Sequence, residues 1–408
     1  MKVLLLTQWY MPEPMKLISE LAESLQSLGH TVEVLTGFPN YPRGVLYPGY
    51  RLRLLQRETI DGVRVIRVPL YPEHSPSVIK RVLNYLSFSF SAALVGIYAT
   101  QKPDVVLVYG SPYTAAIPAI FYRWVRRVPF VFHVVDLWPE SVEGTGMVRN
   151  RRVTGLIRSF ARGIYRRAAR IVAVSPGFAR KIRAEGIADE KVVVIPIWVD
   201  VDHYAPHPRD ESVRKRFELS ASFTILFAGN IGPAQDAGTL IDAAMLLQST
   251  PGIQIVIAGD GISRSAAEEK ARRLGASNVR FLGTVPPIEM PALFGCVDAL
   301  LVHLKRDPLW EITIPHKIFA YMASGKPILA AVAGDAADIV ASTRSGVICN
   351  PGDPEALATA MRALACMPES ERAAMGARGR NAAVTQFNRT HVIGQLDDVL
   401  HQAAAGRT

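Results

Sequence analysis

The sequence predicts an α/β protein made of two doubly wound, Rossmann-like domains, and three observations predict it. Short apolar runs alternate with helical stretches from the start: Lys2 to Thr7, then a helix over Leu17 to Leu28, then Thr31 to Thr36. The runs are apolar at successive positions rather than alternate ones, as in parallel strands buried on both faces. The same alternation restarts at Ser222, after a linker marked by Pro196, Asp200, Pro206 and Pro208. This divides the 408 residues into a first domain over 1–205, a second over 206–388 and a terminal helix over 389–408.

In the first domain the β-α-β opening leaves Gln8 to Pro14 and Gly37 to Gly44 as loops at the carboxyl ends of strands, where such folds bind ligands. Asp61-Gly62 reads as a tight turn between Gln56–Ile60 and Val63–Val68. Leu83 to Thr100 is an apolar helix that includes Phe88, Phe90, Leu94 and Tyr98. Its length approaches a membrane span, but Asn84, Tyr85 and three serines lower its hydrophobicity, so it reads as a core-facing helix that could dip one face toward lipid, with a membrane-spanning helix as the lesser alternative. Strands follow at Val105–Tyr109, Phe130–Val135, Ile171–Val174 and Val192–Ile195. Asp136 thus lies at a strand's carboxyl end, as either a cap or a ligand-facing carboxylate. The second domain takes strands at Thr224–Ala228, Gln254–Ala258, Val279–Leu282, Ala299–His303 and Ile328–Ala331, then helices over Glu369–Gln386 and Thr390–Ala405. No solenoid or coiled-coil repeat is present.

Composition is ordinary for a globular protein, with 49% hydrophobic and 20% charged residues. Cys296, Cys349 and Cys366 lack metal-ligand spacing, and no signal peptide precedes the first strand, which points to a cytoplasmic protein with free thiols. A net charge of +10 asks for an anionic partner. From Arg149 to Arg183 there are eleven Arg or Lys and no Asp or Glu. Arg158, Arg162, Arg166 and Arg170 recur every fourth residue beside Ile157, Phe160, Ala161, Ile164, Tyr165 and Ala168, which predicts a helix with a basic outer stripe. That stripe is either a solvated face or one that meets anionic lipid. Nucleic acid fits poorly, because no aromatic-interleaved basic platform accompanies the charge.

Two segments of the second domain carry ligand chemistry. Ile314 to Pro327 predicts a short helix over 315–325, opened by Pro315 and ended by Gly325 and Pro327. Lys317 in its first turn opposes the helix dipole, so it is either solvated or shares an anion with free N–H groups. The strand Thr224–Ala228 runs into Gly229-Asn230-Ile231-Gly232-Pro233-Ala234-Gln235, whose glycines either let backbone N–H groups approach a phosphate or serve the φ of a strand-to-helix turn alone.

Together these segments resemble family 4 of the retaining glycosyltransferases, and the resemblance extends over nearly the whole chain. It also rests on Leu5-Leu6-Thr7-Gln8-Trp9-Tyr10 with Pro12-Glu13-Pro14, Gly29-His30, Thr36-Gly37-Phe38-Pro39-Asn40-Tyr41-Pro42, Asp136-Leu137-Trp138-Pro139-Glu140-Ser141 and Ala173-Val174-Ser175-Pro176-Gly177. These motifs are similar to the branch that builds bacterial O-antigen, capsule and colanic acid, close to its L-fucosamine transferases. The resemblance implies a GT-B type fold, two domains facing across a cleft, with the last helix crossing back to the first. It implies transfer with retention, without metal or cofactor, from a nucleotide-sugar, expected to be UDP-linked, to a polyprenyl-pyrophosphate-linked acceptor in lipopolysaccharide O-antigen or capsule assembly. The protein would then be peripheral at the anionic inner face of the cytoplasmic membrane. The catalytic candidates are Asp136, Glu140 and Lys317; the donor-binding candidates are Gly229, Asn230, Gly232, Gln235, Gly259, Asp260, Val285, Pro315, His316 and Ala320.

Several positions depart from the family pattern. Met11 to Met15 replace a glycine-bearing loop, Val135 a sugar-contacting histidine, Ile197 an asparagine, and Ala320 a glutamate that accepts hydrogen bonds from the donor ribose. Only Glu311 lies near the place of a second glutamate. The expected function is therefore an active glycosyltransferase, with a catalytically weak nucleotide-sugar-binding scaffold or a nucleotide-sugar epimerase as alternatives. A nicotinamide dehydrogenase is excluded, because the first strand runs into Thr7-Gln8-Trp9 without Gly-x-Gly-x-x-Gly.

Overall fold

The computed structural model describes every residue except Pro76, 145–149 and 407–408. It forms two compact units, one of Met1–Pro196 with Val392–Thr408, the other of Ile197–His391. Residues 197–205, read from sequence with the first domain, thus belong to the second. Val199 forms a parallel bridge with Asn388, and the Trp198 carbonyl accepts a hydrogen bond from His316.

In the first unit the strands are β1 (Lys2–Leu6), β2 (Thr31–Gly37), β3 (Gln56–Ile60), β4 (Val63–Val68), β5 (Val105–Tyr109), β6 (Phe130–Val134), β7 (Arg170–Ala173) and β8 (Val192–Val194). They form one sheet in the order β3-β4-β2-β1-β5-β6-β7-β8. All neighbours are parallel except β3 and β4, which are joined by the expected Asp61-Gly62 turn. The two loops expected at strand ends are tied by one carboxylate: Glu13 accepts the N–H groups of Tyr10, Asn40 and Tyr41. The terminal helix Arg389–Ala405 buries Val392, Ile393, Leu396, Val399 and Leu400, and Asp397 meets His30 at 2.7 Å.

The second unit's sheet runs β11-β10-β9-β12-β13-β14, all parallel, with β9 (Phe223–Ala228), β10 (Ile253–Ala258), β11 (Val279–Gly283), β12 (Ala299–His303), β13 (Ile328–Ala331) and β14 (Gly346–Cys349). Alternate residues feed two cores. Ile225, Phe227, Ile255, Ile257 and Leu301 pack into one, while Leu226, Ala228, Val256, Ala258 and Leu300 pack into the other with Ile318, Phe319 and Met322. This accounts for the uninterrupted apolar runs. The edge strand β14 is an addition to the expected set; its four partly exposed residues carry too little pattern to be read.

Two expectations about surfaces change. The basic helix spans Arg151–Arg167 and buries Ala161, Ile164 and Tyr165 as expected, but it ends at Ala168, whose ψ of 141° is extended. Arg170 therefore begins β7 rather than continuing the stripe. Arg162 pairs with Glu185 at 2.6 Å and Arg158 with the same carboxylate at 3.5 Å, so half of the expected stripe is engaged within the fold. The apolar helix runs over Val78–Ala99, with a π-helical turn at Ala92–Gly96. It buries Phe88, Ala92 and Ile97, while Phe90, Leu94 and Tyr98 face outward, so the helix faces the core on one side only.

Candidate functional site

Two turns of the second unit define the site. After β9, Gly229 adopts φ 121°, and a Cβ there would stand 3.2 Å from the Lys317 Nζ. After β10, Gly259 has φ 138°, and a Cβ would fall 1.9 Å from the Gly229 carbonyl oxygen. Backbone thus packs on backbone, which only glycine permits. The Gly229 and Ile231 N–H groups donate to the Ala258 and Asp260 carbonyls, and the Gly232 N–H to the Gln235 Oε1. The phosphate-cradling role expected of this turn is accordingly reduced, since three of its N–H groups are spent inside the protein.

The predicted 315–325 helix is shorter, Lys317–Ala323, with His316 at its N-cap and Pro315 before it. The Ile318 and Phe319 N–H groups already donate to the Pro315 and His316 carbonyls, so the helix end offers little to an anion beyond Lys317 itself. Lys317 is the outstanding group of the site. Its ammonium nitrogen is buried without a hydrogen-bond partner among the described residues and sits 3.9 Å from the centre of the Phe227 ring. Burial lowers its pKa to about 7. A cation kept in this setting has an incentive to take an anionic ligand, because a buried unpaired charge is costly and a charge-assisted bond removes the cost.

A cavity of about 420 Å³ opens beside it. It brings together Gly229, Asn230, Gly259, Asp260, Val285, His316, Lys317 and Ala320 of the expected set. Gln235 acts one layer back, its side chain accepting from Asn230 at 3.3 Å and from Gly232 at 3.1 Å. Gly232 and Pro315 are not among the lining residues. The His316 Nε2 donates to the Trp198 carbonyl at 2.9 Å, which fixes the ring. Tyr204, Met290, Phe294 and Tyr321 also line the cavity, though sequence reasoning does not select them; Tyr204 comes from a segment distant from the expected set, Met290 and Phe294 from the helix Met290–Gly295, and Tyr321, next to Ala320, reads as part of its helix's apolar side.

Asp136 and Glu140 belong to the first unit. Asp136 accepts a hydrogen bond from the Ser111 hydroxyl at 2.9 Å, and burial raises its pKa. Ser141, whose Oγ accepts the Leu137 N–H, ties the following turn. Glu140 lies 4.0 Å from Arg158. Two residues before Val135, His133 is fully buried and held neutral, its pKa lowered to about 4 by burial, so it does not supply the polar group missing at 135. Away from these groups, His30, Asp397 and His401 cluster, with His30 and Asp397 bonded to each other.

Two parallel-sheet α/β units, with a cavity of about 420 Å³ beside Lys317 in the second, are the architecture of the two-domain glycosyltransferases. Residues 16–198 match the glycosyl transferase 4-like domain and residues 222–366 the glycosyl transferases group 1 domain, and the chain belongs to this family. It is 27% identical over 390 residues to WcaI of Escherichia coli K12, a glycosyl transferase assigned to colanic acid biosynthesis, covering 90% of this chain and 93% of that one. It is 25% identical over 295 residues to a GDP-mannose-dependent alpha-mannosyltransferase of Mycobacterium tuberculosis, covering 72% of this chain and 71% of the relative. The GT-B fold is shared with HepE of Anabaena, solved with UDP and glucose, at a TM-score of 0.73 and 19% identity over 98% of this chain and 99% of that one.

Proposed function

We propose that this glycosyltransferase moves a sugar, with retention, from a nucleotide-sugar to a lipid-linked acceptor during assembly of a bacterial surface polysaccharide. The observation that carries the reading is the buried Lys317 ammonium, unpartnered among the described residues, beside the Gly229 turn. The donor diphosphate meets Lys317 beside Gly229, the nucleoside extends along Val285 and Ala320, and charge developing on the leaving diphosphate is neutralised by the ammonium. With Lys317 as the neutralising cation, the reaction needs no metal ion. Relatedness to WcaI supports a polysaccharide product, and the UDP seen in HepE supports a UDP-linked donor, with GDP as the competing base. A polyprenyl-pyrophosphate acceptor places the protein at the cytoplasmic face of the membrane.

The test is thermal stabilisation against a panel of UDP-, GDP- and dTDP-sugars, followed by product analysis with a lipid-linked acceptor. Stabilisation rises with the logarithm of ligand concentration over Kd. Absence of stabilisation by every nucleotide would overturn the reading, and an epimerised nucleotide-sugar as sole product would replace it.

A further inference from the structure

The helix Val78–Ala99 shows water a row of large apolar side chains. Ile79, Leu83, Phe90, Leu94 and Tyr98 recur at spacings of four, seven, four and four, which keeps them on one side of a helix. Ile79 is 74% exposed, Leu94 62% and Tyr98 80%, and on the neighbouring helix Ala116–Arg126 Trp124 is 79% exposed. Scattered apolar residues on a surface need no explanation, but a row of five along one side of a helix does. The opposite side of the helix packs Phe88, Ala92, Ala93 and Ile97 inside the unit, so the helix lies on its surface and is not free to span a bilayer.

Charge decides what covers this face. Between Glu73 and Asp136 the only acidic residue is Asp104, whereas Lys80, Arg81, Lys102, Arg123, Arg126 and Arg127 are basic. The Asp104 carboxylate is occupied by the Lys2 N–H. Arg126 donates to the Thr100 carbonyl, which sets its guanidinium at the Tyr98 end of the row. A second copy of the chain would bring one basic rim against another and be repelled. An anionic lipid surface would be attracted, while Trp124 and Tyr98 suit the headgroup layer, where amphipathic rings settle.

We infer that this face, rather than the arginine helix Arg151–Arg167, is the part of the protein that inserts into an anionic bilayer. The inference rests on the reading that the acceptor is lipid-linked. It explains why an apolar row survives beside a basic rim, and why half of the arginine stripe can be spent on Glu185 without loss of docking.

The test uses the full chain and vesicles of phosphatidylcholine with about one third phosphatidylglycerol, beside vesicles of phosphatidylcholine alone. Leu94→Ser with Trp124→Ser should weaken sedimentation with the anionic vesicles by about tenfold or more, while Arg158→Gln with Arg162→Gln should change it less than about twofold. Neutral vesicles should bind the wild-type chain at least about tenfold more weakly. Stabilisation by UDP, measured on each variant, should stay unchanged; its absence in the wild type would count against the donor reading alone. Unaltered vesicle binding by the Leu94/Trp124 variant would overturn the inference. So would a wild-type dimer in lipid-free buffer that the same two substitutions dissociate.

Discussion

The Tyr321 hydroxyl accepts the Ala228 N–H at 3.0 Å and donates to the Ala228 carbonyl at 3.1 Å, joining the helix that carries Lys317 to the last residue before the Gly229 turn. One phenol thereby sets the distance between the cation and the turn. Tyr321→Phe should leave two buried backbone groups unpaired, cost about 1–3 kcal/mol and weaken nucleoside diphosphate binding. Chemical denaturation and calorimetric titration check the two effects. An unchanged Kd in a destabilised protein would confine Tyr321 to folding.

Lys317→Ala should raise the Kd of the preferred nucleoside diphosphate by about tenfold or more, the value of a charged hydrogen bond. Because the ammonium is unpaired in the free protein, Lys317→Met should raise the ligand-free melting temperature rather than lower it. Titration and thermal melting of the two variants measure these opposite signs. A variant that binds the nucleotide as well as the wild type would return Lys317 to a packing role.

The lowered pKa of Lys317 makes binding depend on pH. Below about 7 the side chain is charged before the donor arrives. Above that value the free protein holds a neutral amine, and binding must take up a proton. Affinity should therefore fall by about tenfold per pH unit above 7, until the raised pKa of the bound state is reached. Lys317→Arg, always charged, should flatten the dependence. Isothermal titration at pH 7, 8 and 9 in buffers of different ionisation heat would register the proton uptake, and a flat wild-type profile would contradict it.

Ala320 lines the cavity and is 6% exposed. If the donor ribose lies there, Ala320→Glu should tighten the donor by about tenfold, while preserving or raising transfer. If alanine fits a different donor pose, the buried carboxylate has no partner and should destabilise the fold by several kcal/mol. We expect the tightening. A variant that loses both donor stabilisation and melting temperature would show that the nucleotide is not held as in the family pattern.

Much of the framework is legible because parallel strands buried on both faces write themselves as apolar runs, the glycine turns stand where two of those runs stop, and Lys317 stands out as a cation in the first turn of a helix. What Phe90, Leu94 and Tyr98 face stays open in such reading, because periodicity reports that a helix has an apolar side, but not whether anything covers it. Arg170 looks helical because the four-residue spacing continues past Ala168, where the backbone has already become extended. Tyr204, Phe294 and Tyr321 give no local sign, since an aromatic residue beside a pocket and one in a core look alike until distant segments are brought together.

The first unit is discontinuous in the chain: it closes with Val392 onward, after the whole of the second unit has been laid down. During synthesis, Ile197–His391 is therefore complete before the first 196 residues receive the helix that buries Leu396, Val399 and Leu400. The N-terminal half emerges from the ribosome first but is finished last. Until then, the surface around His30 that receives this helix is uncovered, so shortening the C-terminus would injure the half of the protein made earliest.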